Sequence, residues 1–209
     1  MLDRILGAIA GLTLLATPLH AQTMDVEAVE VGPSMWMLED EDNVAYIIGT
    51  IHLLKPETEW RTAYFEELLA GVDQVWFEAD VHSPEAQAQM QALVPQLGLN
   101  PQGQTLSSML SDAGKANLAI LADRMGVAPE AMMASLDPLQ PWLASVSLAS
   151  TMAMAQGYDP AYGVEAALRP MIEPITDDVR YFETAEQQLG FLAGLPQAVQ
   201  LRDLESSLE

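Results

Sequence analysis

Apolar positions along the chain switch between two periods. In "SMWMLEDEDNVAYIIGT" (34–50) two short apolar runs flank the acidic stretch Glu39 to Asn43, the pattern of a β-hairpin. The second run, Val44 to Ile48, is apolar throughout, which predicts a strand covered on both faces, as in an α/β sheet. From Thr58 to Val72 the spacing becomes helical: Trp60, Tyr64, Phe65, Leu68, Leu69 and Val72 share a face, with Pro56 and Thr58 as start signals and Gly71 as a stop. "QVWFEAD" (74–80) then reads as another strand. Strand, helix and strand in that order predict a βαβ unit with parallel strands and a right-handed crossover.

From about residue 83 to 157 the pattern is helical, with a proline or capping residue opening each stretch. Much of the chain's methionine and alanine lies here, and a Met-rich helical face is expected to fill a core. Beyond it, "YGVEAALRPMI" predicts a helix, "DDVRYFE" a strand and "TAEQQLGFLAGLP" a helix opened by a Thr184/Gln187 capping box. "QAVQLRDLESSLE" reads as an unfinished helix, so the chain is expected to be part of a longer protein or a degenerate one. The fold class expected is α/β, a mixed or mainly parallel sheet carrying a large helical insertion.

The amino terminus changes the picture first. "MLDRILGAIAGLTLLATPLHAQ" has a short polar start, an apolar run from Ile5 to Leu15, Pro18, and small Ala21 before Gln22, the build of a secretory signal peptide cleaved after Ala21. The apolar run is shorter than the roughly 20 residues that span a bilayer, so an uncleaved anchor is the weaker reading. Residues 22–209 are expected to form one exported domain, periplasmic in a Gram-negative-type cell or secreted. Net charge is −22, and residues 1–21 contribute one Arg and one Asp to it, so removing them leaves it unchanged. Such a surface repels nucleic acid and anionic lipid. There is no cysteine, which removes disulfides, thiolate nucleophiles and sulfur-bound zinc. Any metal would be held by oxygen and imidazole.

Three predicted strands end on groups able to bind metal or move protons. "YIIGTIH" leads to His52, "VWFEAD" to Glu78 and Asp80, and "VRYFET" to Glu183. Ligands of open α/β sheets bind outside the carboxyl ends of the strands, which makes His52, Glu78 and Glu183 expected neighbours. Each also has a plain structural role open to it. His52 and His82 can be loop residues, and Glu78 and Glu183 can favour the N-termini of the helices that follow. The convergence of three strand ends favours a site. No G-x-S-x-G elbow, P-loop or dinucleotide fingerprint occurs.

"YIIGTIHLL" followed by a proline, a tryptophan at the start of a helix, "GVDQVWFEAD", "YGVEAALR" and "YFETAEQQLGFLAGLP" together resemble the TraB/GumN family, which includes PrgY-like proteins and the TIKI metalloproteases. The likeness runs from about Met35 to Pro196. It implies an α/β fold of the erythromycin-esterase and ChaN kind and a metal-dependent, peptidase-like hydrolase. His52, Glu78 and Glu183 would be the metal residues and Glu78 and Glu183 also the catalytic carboxylates, either of them the ligand and the other the base that takes a proton from a metal-activated water; the ion would be a divalent Mn, Co or Zn, and the substrate a peptide or protein. Two features depart from the family pattern: no second GxxH element follows, and Glu165 stands where Asp is more common. The rival expectation is a noncatalytic periplasmic protein that binds a peptide or partner.

Overall fold

A computed structural model describes residues 32–209. The signal-peptide expectation for residues 1–21 lies outside them. In chain order the elements are β1 (Met35–Glu39), β2 (Val44–Ile48), α1 (Ala63–Leu69), β3 (Val75–Ala79), α2 (Pro84–Leu97), α3 (Leu106–Met109), α4 (Asp112–Arg124), α5 (Pro129–Leu136), α6 (Pro141–Ala155), α7 (Val164–Ile172), β4 (Val179–Glu183), α8 (Ala185–Ala193) and α9 (Gln197–Ser207), with a 3-10 turn at Pro160–Tyr162 before α7. The architecture is mixed α/β, with two small sheets: β1–β2 is antiparallel and β3–β4 parallel.

The hairpin forms where the acidic turn allows it. Asp40 Oδ1 accepts the backbone N–H groups of Asp42 (3.0 Å) and Asn43 (2.7 Å), so the side chain closes the reversal from inside. Those bonds, with a third from the Asn43 side chain, hold the Asp40 carboxyl below its ordinary range.

Three expectations are corrected here. The β2–α1–β3 stretch is not a parallel βαβ pair among the described residues, because β2 pairs with β1 and β3 with β4 in separate sheets. Nor is β2 covered on both faces, since Val44, Ala45 and Ile47 are exposed. A short apolar run specifies extended backbone, but what covers it depends on elements distant in sequence. Helix α1 also starts later than its apolar spacing suggested. Thr62 is its N-cap, accepting the Phe65 N–H, and Trp60 lies outside the helix with its ring edge-on to Phe65 at 5.3 Å.

Two apolar cores result among the described residues. One lies under the sheets and gathers Leu54, Phe65, Leu69, Phe77, Val164, Leu168 and Ile172. The other is all helical, built from α3 to α6 and from Leu204 of α9. Met132 is buried in it, and Met109, Met125 and Met133 pack against it, as the Met-rich pattern predicted. Leu204 is 1% exposed, so the final helix is tied into the insertion it follows. The Thr184 capping box is present: Thr184 N–H donates to Gln187 Oε1 (2.9 Å) and Gln187 N–H to Thr184 Oγ1 (3.2 Å). Among the described residues no helix is long and apolar enough to cross a membrane.

Candidate functional site

The segment that leaves β2, Gly49 to Leu54, is strapped against the approach to α7. Val164 N–H donates to Ile51 O (2.9 Å), and Leu54 and Asp159 exchange backbone bonds of 3.4 and 2.9 Å. The contact is close because residue 163 has no side chain: a Cβ there would lie 2.6 Å from the His52 carbonyl carbon. Gly163 therefore sets how near the first turn of α7 comes to His52.

That first turn carries Glu165. Its side chain is 7% exposed, yet its carboxylate has two polar neighbours. Thr50 Oγ1 lies 3.3 Å from Oε1 and His52 Nδ1 3.6 Å from Oε2. The position also gains from the dipole of α7, which favours negative charge at its start. His52 itself is 59% exposed at the side chain. The carboxylate lies on the Nδ1 side of the ring, which leaves Nε2 on the edge away from Glu165.

One helical turn on, Arg169 of α7 reaches Asp80, just past the end of β3, and the middle of β4. Its Nη2 is 3.3 Å from both Asp80 Oδ1 and Tyr181 Oη, and its guanidinium lies over the rings of Phe77 (5.1 Å) and Tyr181 (5.9 Å). Its buried Nε has no hydrogen-bond partner, so the aromatic faces carry part of its stabilisation. Asp80 also accepts the backbone N–H groups of His82 (3.1 Å) and Ser83 (3.0 Å). Partial burial pushes the Asp80 carboxyl up, but the Ser83 hydroxyl, those two N–H groups and Arg169 outweigh it, and the net shift is downward. His82 is held below its ordinary value by burial and then by Arg169, against the opposing pull of Glu165 and Asp80, while His52 adds a smaller push down. His52, Asp80, Glu165 and Arg169 thus all lie close enough to bear on His82.

Of the residues expected at the site, the structure brings His52 to this cluster. Alternation along β3 puts Glu78 on the exposed face with Trp76, opposite Phe77 and Ala79. Glu183 is opposite Ala79 in the ladder and shares the half-buried positions of Val179 and Tyr181. Glu78 and Glu183 therefore face opposite sides of the β3–β4 pair. The acid beside His52 is Glu165, which the strand-end argument did not reach. A trace of it is present in "VEAALRPMI": Glu165 and Arg169 sit four apart beside the apolar stripe Val164, Leu168 and Ile172, where a solvated helix face is not available.

Among the described residues no group of three or more His, Asp or Glu side chains is arranged to hold a metal ion. His52 and Glu165 face each other, and Asp80 is already engaged by Arg169. As they stand these donors do not fit a metal cage.

A family model described as the TraB/PrgY/gumN family matches residues 34–209. No curated protein and no solved structure matches the chain.

Proposed function

The chain belongs to the TraB/PrgY/gumN family, and from that premise we propose that it is an exported, peptidase-like hydrolase whose working group is His52. The observation that carries the proposal is an exposed imidazole backed by a buried carboxylate 113 positions away in sequence, with Nδ1 and Oε2 3.6 Å apart. In the proposed reaction His52 Nε2 takes a proton from water as the water oxygen bonds to a substrate carbonyl carbon. Glu165 holds the ring and stabilises the imidazolium. Collapse of the tetrahedral species breaks the C–N bond, and the imidazolium returns the proton to the leaving amine. The family likeness also supports an architecture of the erythromycin-esterase and ChaN kind.

A divalent ion, Mn, Co or Zn, with His52, Glu78 and Glu183 as its ligands, belongs to the same proposal through the family likeness alone. The donors as placed do not fit a cage, and the proposed reaction draws on His52 and Glu165. Its place is settled by measurement: metal content of wild type and His52→Ala, and hydrolysis with and without chelator.

The test of the enzyme reading is hydrolysis of a quenched fluorescent peptide library by wild type, His52→Ala and Glu165→Gln, each with and without added Mn, Co and Zn. Loss of a positioned general base lowers the rate by about 10²–10⁴-fold, and that loss is expected for His52→Ala, with a smaller one for Glu165→Gln. Wild type inert under all these conditions overturns the reading. The exposed aromatic pair Trp76 and Phe182, stacked with centroids 4.8 Å apart, favours a second reading as a noncatalytic binding protein. Its mark is peptide or partner binding that survives both His52→Ala and chelator.

A further inference from the structure

We propose that the free edge of β2 is the docking strand for an extended peptide that pairs with it, antiparallel or parallel, and runs on toward His52. The proposal rests on the hydrolase reading for what happens at His52, and on the ladder geometry for how the peptide is held.

The hydrogen-bond register fixes which backbone groups are available. In an antiparallel pair, opposed residues alternate between exchanging hydrogen bonds and not doing so. Gly49 N–H donates to Ser34 O and Asp40 N–H to Asn43 O, each at 3.0 Å, which marks Ser34/Gly49 and Asp40/Asn43 as bonded pairs. The register between them then makes Trp36/Ile47 and Leu38/Ala45 bonded pairs, and leaves Val44, Tyr46 and Ile48 with N–H and C=O groups directed away from β1. Among the described residues no strand lies on that side. Open edges with apolar side chains recruit another strand, and proteins blunt them when they are not used. Here they are not blunted: β2 carries no charge, proline or bulge.

Three observations select the occupant. First, β2 runs through Gly49 into the segment bearing His52, four residues beyond Ile48, so a strand laid beside Val44 to Ile48 has one end near the candidate site. Secondly, the β2 side chains flanking the edge are aliphatic or aromatic on both faces, and Trp36, Leu38 and Ile47 stand 57%, 55% and 53% exposed on one of them. They suit a peptide with apolar residues at alternate positions. Thirdly, the far end of the hairpin is Glu39-Asp40-Glu41-Asp42, and no Lys or Arg occurs from Gly32 to Leu54. Charge complementarity then calls for basic residues on the peptide at the end remote from His52, and it disfavours a second copy of this chain, whose own turn is equally acidic. Main-chain pairing supplies the affinity and the alternate side chains the selectivity.

The test uses the full chain carrying His52→Ala, so that binding is read apart from cleavage. The probe is a fluorescent octapeptide of alternating Val and Thr with two Lys at one end, followed by anisotropy. Single backbone N-methylation is walked along it. The expected result is a loss of at least tenfold at alternate positions and little change at the others, together with a tenfold weakening when the Lys pair is replaced by Glu. Tyr46→Pro removes one outward N–H without breaking a β1 bond and is expected to abolish binding. If that variant does not fold, the N-methyl scan on the parent chain still decides. No binding, an N-methyl profile without alternation, or a concentration-dependent dimer that Tyr46→Pro dissolves overturns the proposal. Alternation without any hydrolysis by wild type sinks the hydrolase reading alone, and hydrolysis without alternation sinks this proposal alone.

Discussion

Replacing Gly163 by alanine should be one of the most damaging single-methyl additions in the chain. The backbone of Gly163 has φ −55° and ψ 150°, values open to any residue, so the cost is purely steric. The added Cβ would sit 2.6 Å from the His52 carbonyl carbon and 3.1 Å from its Cα. Carbon atoms pack at about 3.5–4.0 Å, so the His52 backbone must retreat by about 1 Å. That retreat is opposed by the Val164 to Ile51 bond and by the Leu54–Asp159 pair. Overpacking costs about 1–3 kcal/mol, and losing one hydrogen bond adds about 0.5–1.5 kcal/mol. A total of about 2–4 kcal/mol lowers the melting temperature by roughly 4–16 °C for a chain of this size. Gly190 is the internal control: it lies within α8, and a Cβ there meets nothing within 4 Å. Gly190→Ala should therefore stabilise, by about 0.5–1 kcal/mol. Thermal and urea unfolding of both variants reads the contrast. Gly163→Ala melting with wild type, or both alanines shifting stability the same way, would refute the reasoning that Gly163 sets the position of His52.

Arg169→Met should cost about 1–2 kcal/mol through the lost ring and Asp80 contacts, and it should raise the His82 pKa because Arg169 helps hold it down; urea unfolding and an NMR titration of His82 check the two parts separately. Since the folded pKa of His82 lies below its ordinary 6.5, the unfolded chain binds more protons as pH falls below neutrality, so the stability this group contributes is full above about pH 6.5 and drains away as pH drops through the folded value. Urea midpoints between pH 8 and 5 should decline less steeply in His82→Gln than in wild type, and equal slopes would contradict the assignment. Thr184→Ala should cost about 0.5–2 kcal/mol by opening the capping box, whereas Thr184→Ser should be close to neutral in the same unfolding assay.

The parts of the fold legible in the sequence are those whose cause is local. The hairpin was readable because Asp40 can close its own turn, and the start of α8 because Thr184 and Gln187 satisfy each other across three residues. That β3 takes β4 as its neighbour, from beyond the whole helical insertion, has no local cause. Both strands are short runs that would suit several sheets, and the choice among them is made by packing under Phe77, Leu168 and Ile172. The site divides in the same way. His52 was legible because a strand, a glycine and a polar residue in succession mark a strand end, and the strand-end rule placed Glu78 and Glu183 there too. That rule does not say which face a side chain takes, and alternation turns Glu78 outward.

Glu165 shows what the missing information was. A carboxylate at 7% exposure with a threonine hydroxyl and an imidazole as its neighbours is a costly choice for a core position. Its own helix is apolar on both sides of it, with Val164 and Leu168 buried, so packing alone would be served better by leucine or methionine. The Thr50 hydroxyl and the α7 dipole offset part of that cost. Under the proposed function the rest is accounted for by an exposed histidine that needs its ring oriented, and the glycine two positions earlier brings the helix close enough to do it. Local rules are broken most often where function compensates for the loss. The breach in this chain is a buried acid in α7, and it reaches the solvent through His52.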